Sequence, residues 1–367
     1  MKWQGRIMAT TLEIIPAMDM VSAVDLYCGI GGLTHGLVRA GISVVAGIDV
    51  DVSCKYAYEV NNGAVFINKG VEELTASDIA RLYPVDHVKI LVGCAPCQPF
   101  SRYTIKPSPG EKWKLLSHFA DFVRVIRPEV VSMENVPDLS KHEIFTEFLA
   151  VLHEKNYHTS YGLVNCVEYG VPQTRTRLVL FASRLGEISI VPPTHTSENQ
   201  LNVFDTIGSL EPLRAGQAST TDPLHRASAL NELNLKRIAA SKPGRSWRDW
   251  PDELKLNCHK KRSGESFGSV YGRMMWDAPA PTMTTQCNGI GNGRFGHPEQ
   301  DRAISLREAA LFQTFPREYD FIDPELGFNF TGLARHIGNA VPVRLGEIIA
   351  QSIRLHLEKH RDCSAPI

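Results

Sequence analysis

The chain alternates between short apolar runs and segments whose apolar residues recur every three or four positions. The short runs predict buried strands, and the periodic segments predict amphipathic helices. Because the two kinds of segment alternate regularly as far as Gly186, they indicate an α/β fold built on a mostly parallel sheet. The predicted strands are 22–27, 43–49, 64–67, 88–92 and 130–133, and the predicted helices are 34–40, 75–83, 115–126 and 144–154.

Two chemically reactive side chains follow the last two of these predicted strands. Cys97 lies between two prolines in the loop after the fourth strand, and Glu134 comes directly after the fifth. Ligands of open α/β sheets bind outside the carboxyl ends of the strands, so we expect both side chains at one edge. Three interpretations of Cys97 stay open: an inert buried thiol, a redox or zinc pair with Cys94, and a nucleophile.

A glycine-rich turn joins the first predicted strand to the first helix. Gly29 and Gly31 can adopt positive φ and let a ligand approach the backbone closely, although the spacing is not GxGxxG. Asp49 ends the second strand eighteen residues after Gly31, where an acid binds ribose hydroxyls in nucleotide-binding folds. The pattern predicts a cofactor that contains adenosine, either NAD(H) or S-adenosylmethionine. A tight turn without a ligand is the alternative.

A further run, 173–181, combines long polar side chains with strand periodicity. Alternation places Gln173, Arg175 and Arg177 on one face of the predicted strand. Three such side chains are unexpected in a core, so the pattern favours a functional surface. An exposed edge strand is the alternative.

Composition and charge narrow the class of protein. The chain has 367 residues, enough for two lobes, and a net charge of −1, which by itself indicates neither a nucleic-acid nor a membrane partner. Its eight cysteines are dispersed, as expected for free thiols in a reducing cytoplasm. No apolar run approaches the ~20 residues needed to cross a bilayer, and residues 1–20 are interpreted as a leader.

The α/β rhythm stops at Gly186, and the residues up to 273 indicate a second, irregular domain. Within it, residues 236–273 contain ten basic and four acidic residues, interleaved with tryptophan, phenylalanine and tyrosine. Such a segment is typical of a surface that follows phosphates, and Lys260, Lys261 and Arg262 are its densest basic run. A solvated face over a small aromatic core is the alternative.

The last part of the chain again predicts helices. Ser305 and Glu308 form a capping-box pattern at the start of a helix over 304–315. A turn over 338–342 precedes an amphipathic helix over 343–357, and residues 358–367 are expected to fray.

Six motifs in this order resemble those of the bacterial carbon-5 cytosine DNA methyltransferases, and they extend over nearly the whole chain. They are Asp-Leu-Tyr-Cys-Gly-Ile-Gly-Gly at 25–32, Pro-Cys-Gln-Pro-Phe-Ser at 96–101, Glu-Asn-Val at 134–136, Gln-x-Arg-x-Arg at 173–177, the block at 305–316 and Gly-Asn-Ala-Val-Pro at 338–342. The chain departs from the family at Tyr27, where Phe is usual, and at 70–71, where Asp-Ile is usual.

The resemblance implies a Rossmann-like domain that depends on S-adenosylmethionine, with a smaller irregular target-recognition domain. It implies that Cys97 is the nucleophile, that Glu134 activates the base, and that Arg177 and Arg175 complete the catalytic group. No metal ion is expected. The implied cofactor-binding residues are Tyr27, Gly29, Gly31, Gly32, Leu33, Asp49, Pro96, Leu115, Asn339 and Val341.

The resemblance also implies double-stranded DNA as the partner, with the target cytosine flipped out of the duplex. The loop over 101–114 would close on the base, and the implied DNA contacts are Ser101, Lys106, Lys260, Lys261 and Arg262. The expected division is a leader at 1–20, a catalytic domain at 21–186, a target-recognition domain at 187–334 and a return to the catalytic domain at 335–367. We expect a cytoplasmic monomer with a cognate restriction endonuclease.

Three rival functions make different demands on these residues. A transfer-RNA cytosine-5 methyltransferase would use the same Cys97 and Glu134 with a different partner for the second domain. An NAD-dependent oxidoreductase would give those two residues no joint role. A silent DNA-binding protein would not need the set of Cys97, Glu134 and Arg177.

Overall fold

The computed structural model describes residues 20–96, 114–261, 264 and 267–362. Its centre is a seven-stranded sheet in the order β3-β2-β1-β4-β5-β8-β6. Neighbouring strands from β3 to β5 are parallel, and β8 is antiparallel to both of its neighbours, β5 and β6. The strands are β1 Val21–Leu26, β2 Ser43–Asp49, β3 Val65–Asn68, β4 Val88–Gly93, β5 Val130–Asn135, β6 His158–Asn165 and β8 Thr176–Ser183. The α/β prediction is therefore confirmed.

Helices cover both faces of the sheet, because alternate residues of the central strands point to opposite sides. The helices that pack on the sheet are α1 Gly32–Arg39, α2 Lys55–Asn62, α3 Ala76–Ala80, α4 Lys114–Ile126, α5 Glu143–Glu154 and α10 Val343–Asp362. Ala23 of β1 belongs to one apolar cluster, with helices α1, α2 and α10, whereas Val24 belongs to a second cluster, with helices α3, α4 and α5.

The residues between β8 and the last helices form little regular structure. They contain α6 Val203–Ile207, α7 Glu232–Ala240 and β9 Ala280–Pro281, which pairs with β7 Gln173–Thr174. Trp247 and Trp250 are buried, and Trp247 stacks on the ring of His259. These aromatic side chains therefore form a small core. This agrees with the alternative given for the segment, a solvated face over a small aromatic core.

The chain returns to the sheet through α8 Leu306–Phe312, α9 Phe330–Asn339 and α10 Val343–Asp362. The predicted capping box is confirmed, since Ser305 Oγ accepts from the Glu308 amide at 3.1 Å and Glu308 Oε2 accepts from the Ser305 amide at 2.7 Å. Helix α10 reaches Asp362, so the prediction of fraying from residue 358 is wrong for its first five residues.

The predicted strand over 173–181 is wrong in one respect. The chain forms β7, breaks at Arg175 and begins again as β8, and both Gln173 and Arg175 are buried. Their polar atoms are satisfied by distant parts of the chain: Gln173 Nε2 donates to the Phe312 carbonyl and Arg175 Nη1 to the Met283 carbonyl. Long polar side chains are thus compatible with burial here, because acceptors are supplied at each donor.

Within the described residues, no helix is both long enough and apolar enough to cross a membrane.

Candidate active site

The glycine-rich turn after β1 is held by side chains at its two ends. Asp25, buried in β1, accepts a hydrogen bond of 2.7 Å from the hydroxyl of Thr34 in α1. At the other end, the Gly29 amide donates to Asp49 Oδ2 at 2.9 Å. Gly29 and Gly31 have φ of 51° and 86°, which is the left-handed region predicted for them. The turn is therefore fixed in a conformation that favours glycine.

Space for a ligand opens above this turn. A Cβ built at Gly29 would meet no atom within 4 Å. Asp49 is half-buried, and burial raises the pKa of its carboxyl, while Val50 beside it is 66% exposed. An acid, an open glycine backbone and an exposed apolar side chain match the ribose, the amino-acid part and the adenine of S-adenosylmethionine. The described residues thus fit this cofactor.

The other residues implied in cofactor binding differ in their contacts and in their burial. Tyr27 donates its hydroxyl proton to the Leu115 carbonyl at 2.6 Å, which ties the turn to the start of α4. Gly32 has a packing role, because a Cβ there would lie 2.2 Å from the Val341 carbonyl oxygen. Leu33 and Val341 are buried, Pro96 is half-buried, and Asn339 is exposed at the end of α9 rather than in a turn before the next helix.

Glu134 lies at the carboxyl end of β5, where its side chain is almost fully buried. The Nε atom of Arg177, from β8, lies 3.0 Å from its Oε1 atom and forms an ion pair with it. The thiol of Cys94, directly after β4, donates to its Oε2 atom at 2.7 Å. Because β4 and β5 are parallel neighbours, the residue that follows β4 lies beside Glu134, whereas the expected position of Cys97 near Glu134 stays a prediction.

Arg175 takes a different place from Arg177. It is buried, and its guanidinium donates to the carbonyl oxygens of Met283, at 3.0 Å, and Ala340, at 3.4 Å. Burial, together with the charge of Arg177, lowers the pKa of Arg175 to about 10. These contacts join the sheet to the segments that contain Met283 and Ala340, so Arg175 stabilises the structure around the site.

Several implied site residues lie outside the described residues: Cys97, Ser101, Lys106 and Arg262. Their roles stay predictions. Of the basic segment, Lys260 and Lys261 are exposed, whereas Arg237 and Arg273 are buried and donate to backbone carbonyls. Lys260 and Lys261 therefore stay candidates for contacts with DNA, whereas Arg237 and Arg273 have structural roles.

One group of side chains in the described part of the chain has ligand atoms close enough to hold a metal ion: Asp51, Cys54 and His336, within 4.8 Å of one another. Arg335 Nη2 already lies 2.6 Å from Asp51 Oδ2, and His336 Nε2 lies 3.2 Å from the same oxygen. The carboxylate is therefore neutralised by protein groups, and the cluster connects the end of β2 to α9.

Cys94 and Asn135 were not predicted as site residues, although Cys94 was considered as half of a redox or zinc pair and Asn135 belongs to the Glu-Asn-Val motif. Asn135 Nδ2 donates to the Ala95 carbonyl at 3.0 Å and joins the ends of β4 and β5 beside the carboxylate. A signal for Cys94 was present, because the first residue after β4 must lie beside the end of the parallel strand β5.

The sequence matches the model of the C-5 cytosine-specific DNA methylase family over residues 21–355. It is 57% identical to the type II methylase M.HgiDII of Herpetosiphon aurantiacus over 343 residues, which cover 92% of this chain and 97% of that protein. It is 29% identical to the type II methyltransferase M1.BsuMI of Bacillus subtilis, over 90% of this chain and 80% of that one.

The fold is similar to the crystal structure of a predicted DNA modification methyltransferase encoded within an E. coli prophage. The TM-score is 0.71 at 20% sequence identity, and the match covers 92% of this chain and 99% of that one. At this identity the likeness concerns the fold alone.

Proposed function

The chain belongs to the C-5 cytosine-specific DNA methylases, and on this premise we propose which of its residues perform the reaction. It transfers a methyl group to carbon 5 of cytosine in DNA. The observation that carries the assignment is the buried carboxylate of Glu134, paired with Arg177 at the edge of the sheet where the loop that contains Cys97 begins.

Carbon 5 of cytosine is a poor nucleophile and must be activated. In the proposed mechanism, the thiolate of Cys97 adds to carbon 6, which breaks the aromaticity and makes carbon 5 enamine-like. A proton passes from the Glu134 carboxyl to ring nitrogen 3, which neutralises the negative charge that develops on the base, and Glu134 accepts a hydrogen bond from the exocyclic amine. Arg177 binds the carbonyl oxygen of the base. After carbon 5 has taken up the methyl group, loss of its proton to water breaks the bond to sulfur and releases Cys97.

We propose S-adenosylmethionine as the methyl donor. When bound, it supplies an electrophilic methyl group on a sulfonium. The support is the fit of the turn at Gly29 and Gly31, the carboxylate of Asp49 and the exposed Val50. Asp49 would bind the ribose hydroxyls, and Tyr27 and Leu115 would line the site next to the end of β4. Arg175 would act through the segments that it anchors.

The chemistry requires the target base outside the helix, so we propose that double-stranded DNA binds with one cytosine flipped out. The second domain, 187–334 in the proposed division, would read the sequence. Support comes from its exposed lysines, including Lys260 and Lys261. Near the end of this range, the Tyr319 hydroxyl donates to the Ile30 carbonyl and the Asp320 amide donates to Asn61 Oδ1, so these residues pack against the catalytic domain.

The identity to a type II methylase favours DNA over transfer RNA as the substrate. We further propose a cognate restriction endonuclease that cuts the same site, action as a monomer, and a cytoplasmic location. The six cysteines of the described part are free thiols, which supports a reducing compartment.

Bisulfite sequencing of DNA from cells that express the protein tests the proposal. Protected cytosines within one short motif are expected, and a Cys97→Ser variant should lose them. Protection that persists in Cys97→Ser would overturn the nucleophile assignment. If DNA is unprotected but transfer RNA from the same cells carries new 5-methylcytosine, the substrate assignment is wrong.

A further inference from the structure

The carboxylate of Glu134 is approached from two strands. The thiol of Cys94 donates to Oε2 at 2.7 Å, and Arg177 Nε lies 3.0 Å from Oε1. Although Oε1 is buried and paired with this cation, it accepts no hydrogen bond from the described residues. A buried carboxylate oxygen without a hydrogen-bond donor is uncommon, and such an atom can accept from a bound ligand.

The backbone around Cys94 leaves its side chain little freedom. Its amide donates to the Leu26 carbonyl at 3.3 Å, and the next residue, Ala95, accepts from Asn135 Nδ2 at 3.0 Å. These two bonds fix the segment to β1 on one side and to the end of β5 on the other. The thiol is thus held against Glu134 by the sheet itself.

We propose that Cys94 is a positioning residue for the methylation. Its thiol anchors Oε2 of Glu134, so that Oε1 stays in place to accept from the target cytosine. The inference rests on the function proposed above, because it assumes that Glu134 contacts the base. It assigns a role to the first cysteine of the Cys94-Ala95-Pro96-Cys97 segment, which the proposed reaction does not otherwise use.

The contact with a carboxylate also separates the two cysteines of this segment. The thiol of Cys94 donates a hydrogen bond to Oε2 of Glu134, and this role needs the S–H proton. A nucleophilic cysteine must instead reach the thiolate form. Cys94 therefore forms no bond to the base in this proposal.

Cys94→Ala and Cys94→Ser are a matched pair for the test, since they differ by a single hydroxyl group. The methylation rate in single turnover, with DNA that carries the motif found by bisulfite sequencing, should fall about tenfold in Cys94→Ala, because a hydrogen bond to a charged group is lost. Cys94→Ser keeps a donor and should recover most of that loss. A wild-type rate in Cys94→Ala, or equal losses in both variants, would overturn the proposal.

A second measurement separates this proposal from the function on which it rests. In DNA with 5-fluorocytosine at the target, carbon 5 carries no proton to lose, so the covalent adduct with the enzyme persists. The wild type and Cys94→Ala should both form an adduct that withstands denaturation, and Cys97→Ser should not. Absence of an adduct in the wild type contradicts the proposed reaction. Loss in Cys94→Ala, with retention in Cys97→Ser, contradicts the positioning role and the nucleophile assignment together.

Discussion

Arg177 and Glu134 lie diagonally across two antiparallel strands, with Nε and Oε1 3.0 Å apart. Glu134 pairs directly with Val179, so Arg177 is two residues along β8 on the same face of the sheet. The guanidinium is therefore delivered to the carboxylate by strand register. The ion pair is a property of the folded sheet and does not depend on the loop after Pro96.

Replacement of Arg177 by methionine should lower both stability and activity. The carboxylate of Glu134 would keep its burial and lose its cation, which costs about 3 kcal/mol when a buried pair is broken from one side. Urea unfolding measures the loss. As a control, Arg81→Met removes an exposed ion pair with Asp78 and should change little. Equal effects in the two variants would contradict a buried, structural ion pair.

Glu134→Gln keeps the shape of the side chain and removes its charge. We expect kcat/KM to fall by about 10²- to 10⁴-fold, because a carboxyl group in position for proton transfer or charge neutralisation contributes that much. Cofactor affinity, measured by calorimetry, should stay close to the wild-type value. Glu129→Gln is the matched control, since Glu129 pairs with Arg184 at the opposite end of β5. Activity retained by Glu134→Gln would disprove the assigned role.

The sequence predicted the central strands well because they are apolar and buried on both faces, which leaves a continuous hydrophobic pattern. It predicted the edge of the sheet that carries Glu134 for the same reason. Strand β6 was not predicted. This strand lies at the edge, most of its side chains are exposed or half-buried, and so its sequence shows no apolar pattern.

The places of Gln173 and Arg175 could not be predicted from local pattern. Their burial depends on acceptors that lie more than 100 residues away in the sequence, such as the carbonyls of Met283 and Phe312. Only Arg177 of the three reaches Glu134. The length of α10 was also underestimated. Its last turn carries Lys359, His360 and Arg361, and cationic side chains are favourable at the carboxyl end of a helix.

Gly31→Ala should weaken cofactor binding. An alanine at φ 86° is strained by about 1–2 kcal/mol, and its Cβ would lie 2.7 Å from Asn62 Nδ2. A shift of the turn to relieve this contact should reduce affinity for S-adenosylmethionine about tenfold, which corresponds to about 1.4 kcal/mol. Gly162→Ala, where the new Cβ meets no atom within 4 Å, is the control for calorimetry and melting. Unchanged affinity in Gly31→Ala would mean that the turn does not contact the cofactor.

The double variant Lys260→Ala, Lys261→Ala should bind DNA more weakly, and the difference should shrink as salt rises. Each phosphate contact contributes about 0.9 to the slope of log K against log salt, so loss of two contacts should flatten the slope by nearly twice that amount. Lys155→Ala, Lys359→Ala removes the same charge from α10 and from the residue after α5 and should keep the wild-type slope. The same slope in both double variants would show that Lys260 and Lys261 do not contact DNA phosphates.

Asp25 should make the protein less stable as the pH rises towards neutrality. Burial raises the pKa of this carboxyl from 3.8 to about 7, the negative charge of Asp49 adds to the shift, and the hydrogen bond from Thr34 opposes it. The folded state therefore binds a proton that the unfolded state has already released, so stability falls between about pH 4 and pH 7 and levels off above. Each unit of pKa is worth about 1.4 kcal/mol, which makes the total a few kcal/mol. Asp25→Asn cannot titrate and keeps an oxygen for Thr34, so its free energy of unfolding in urea, relative to the wild type, should rise across this range. Parallel curves for the two proteins would show that Asp25 is ionised in the folded state throughout.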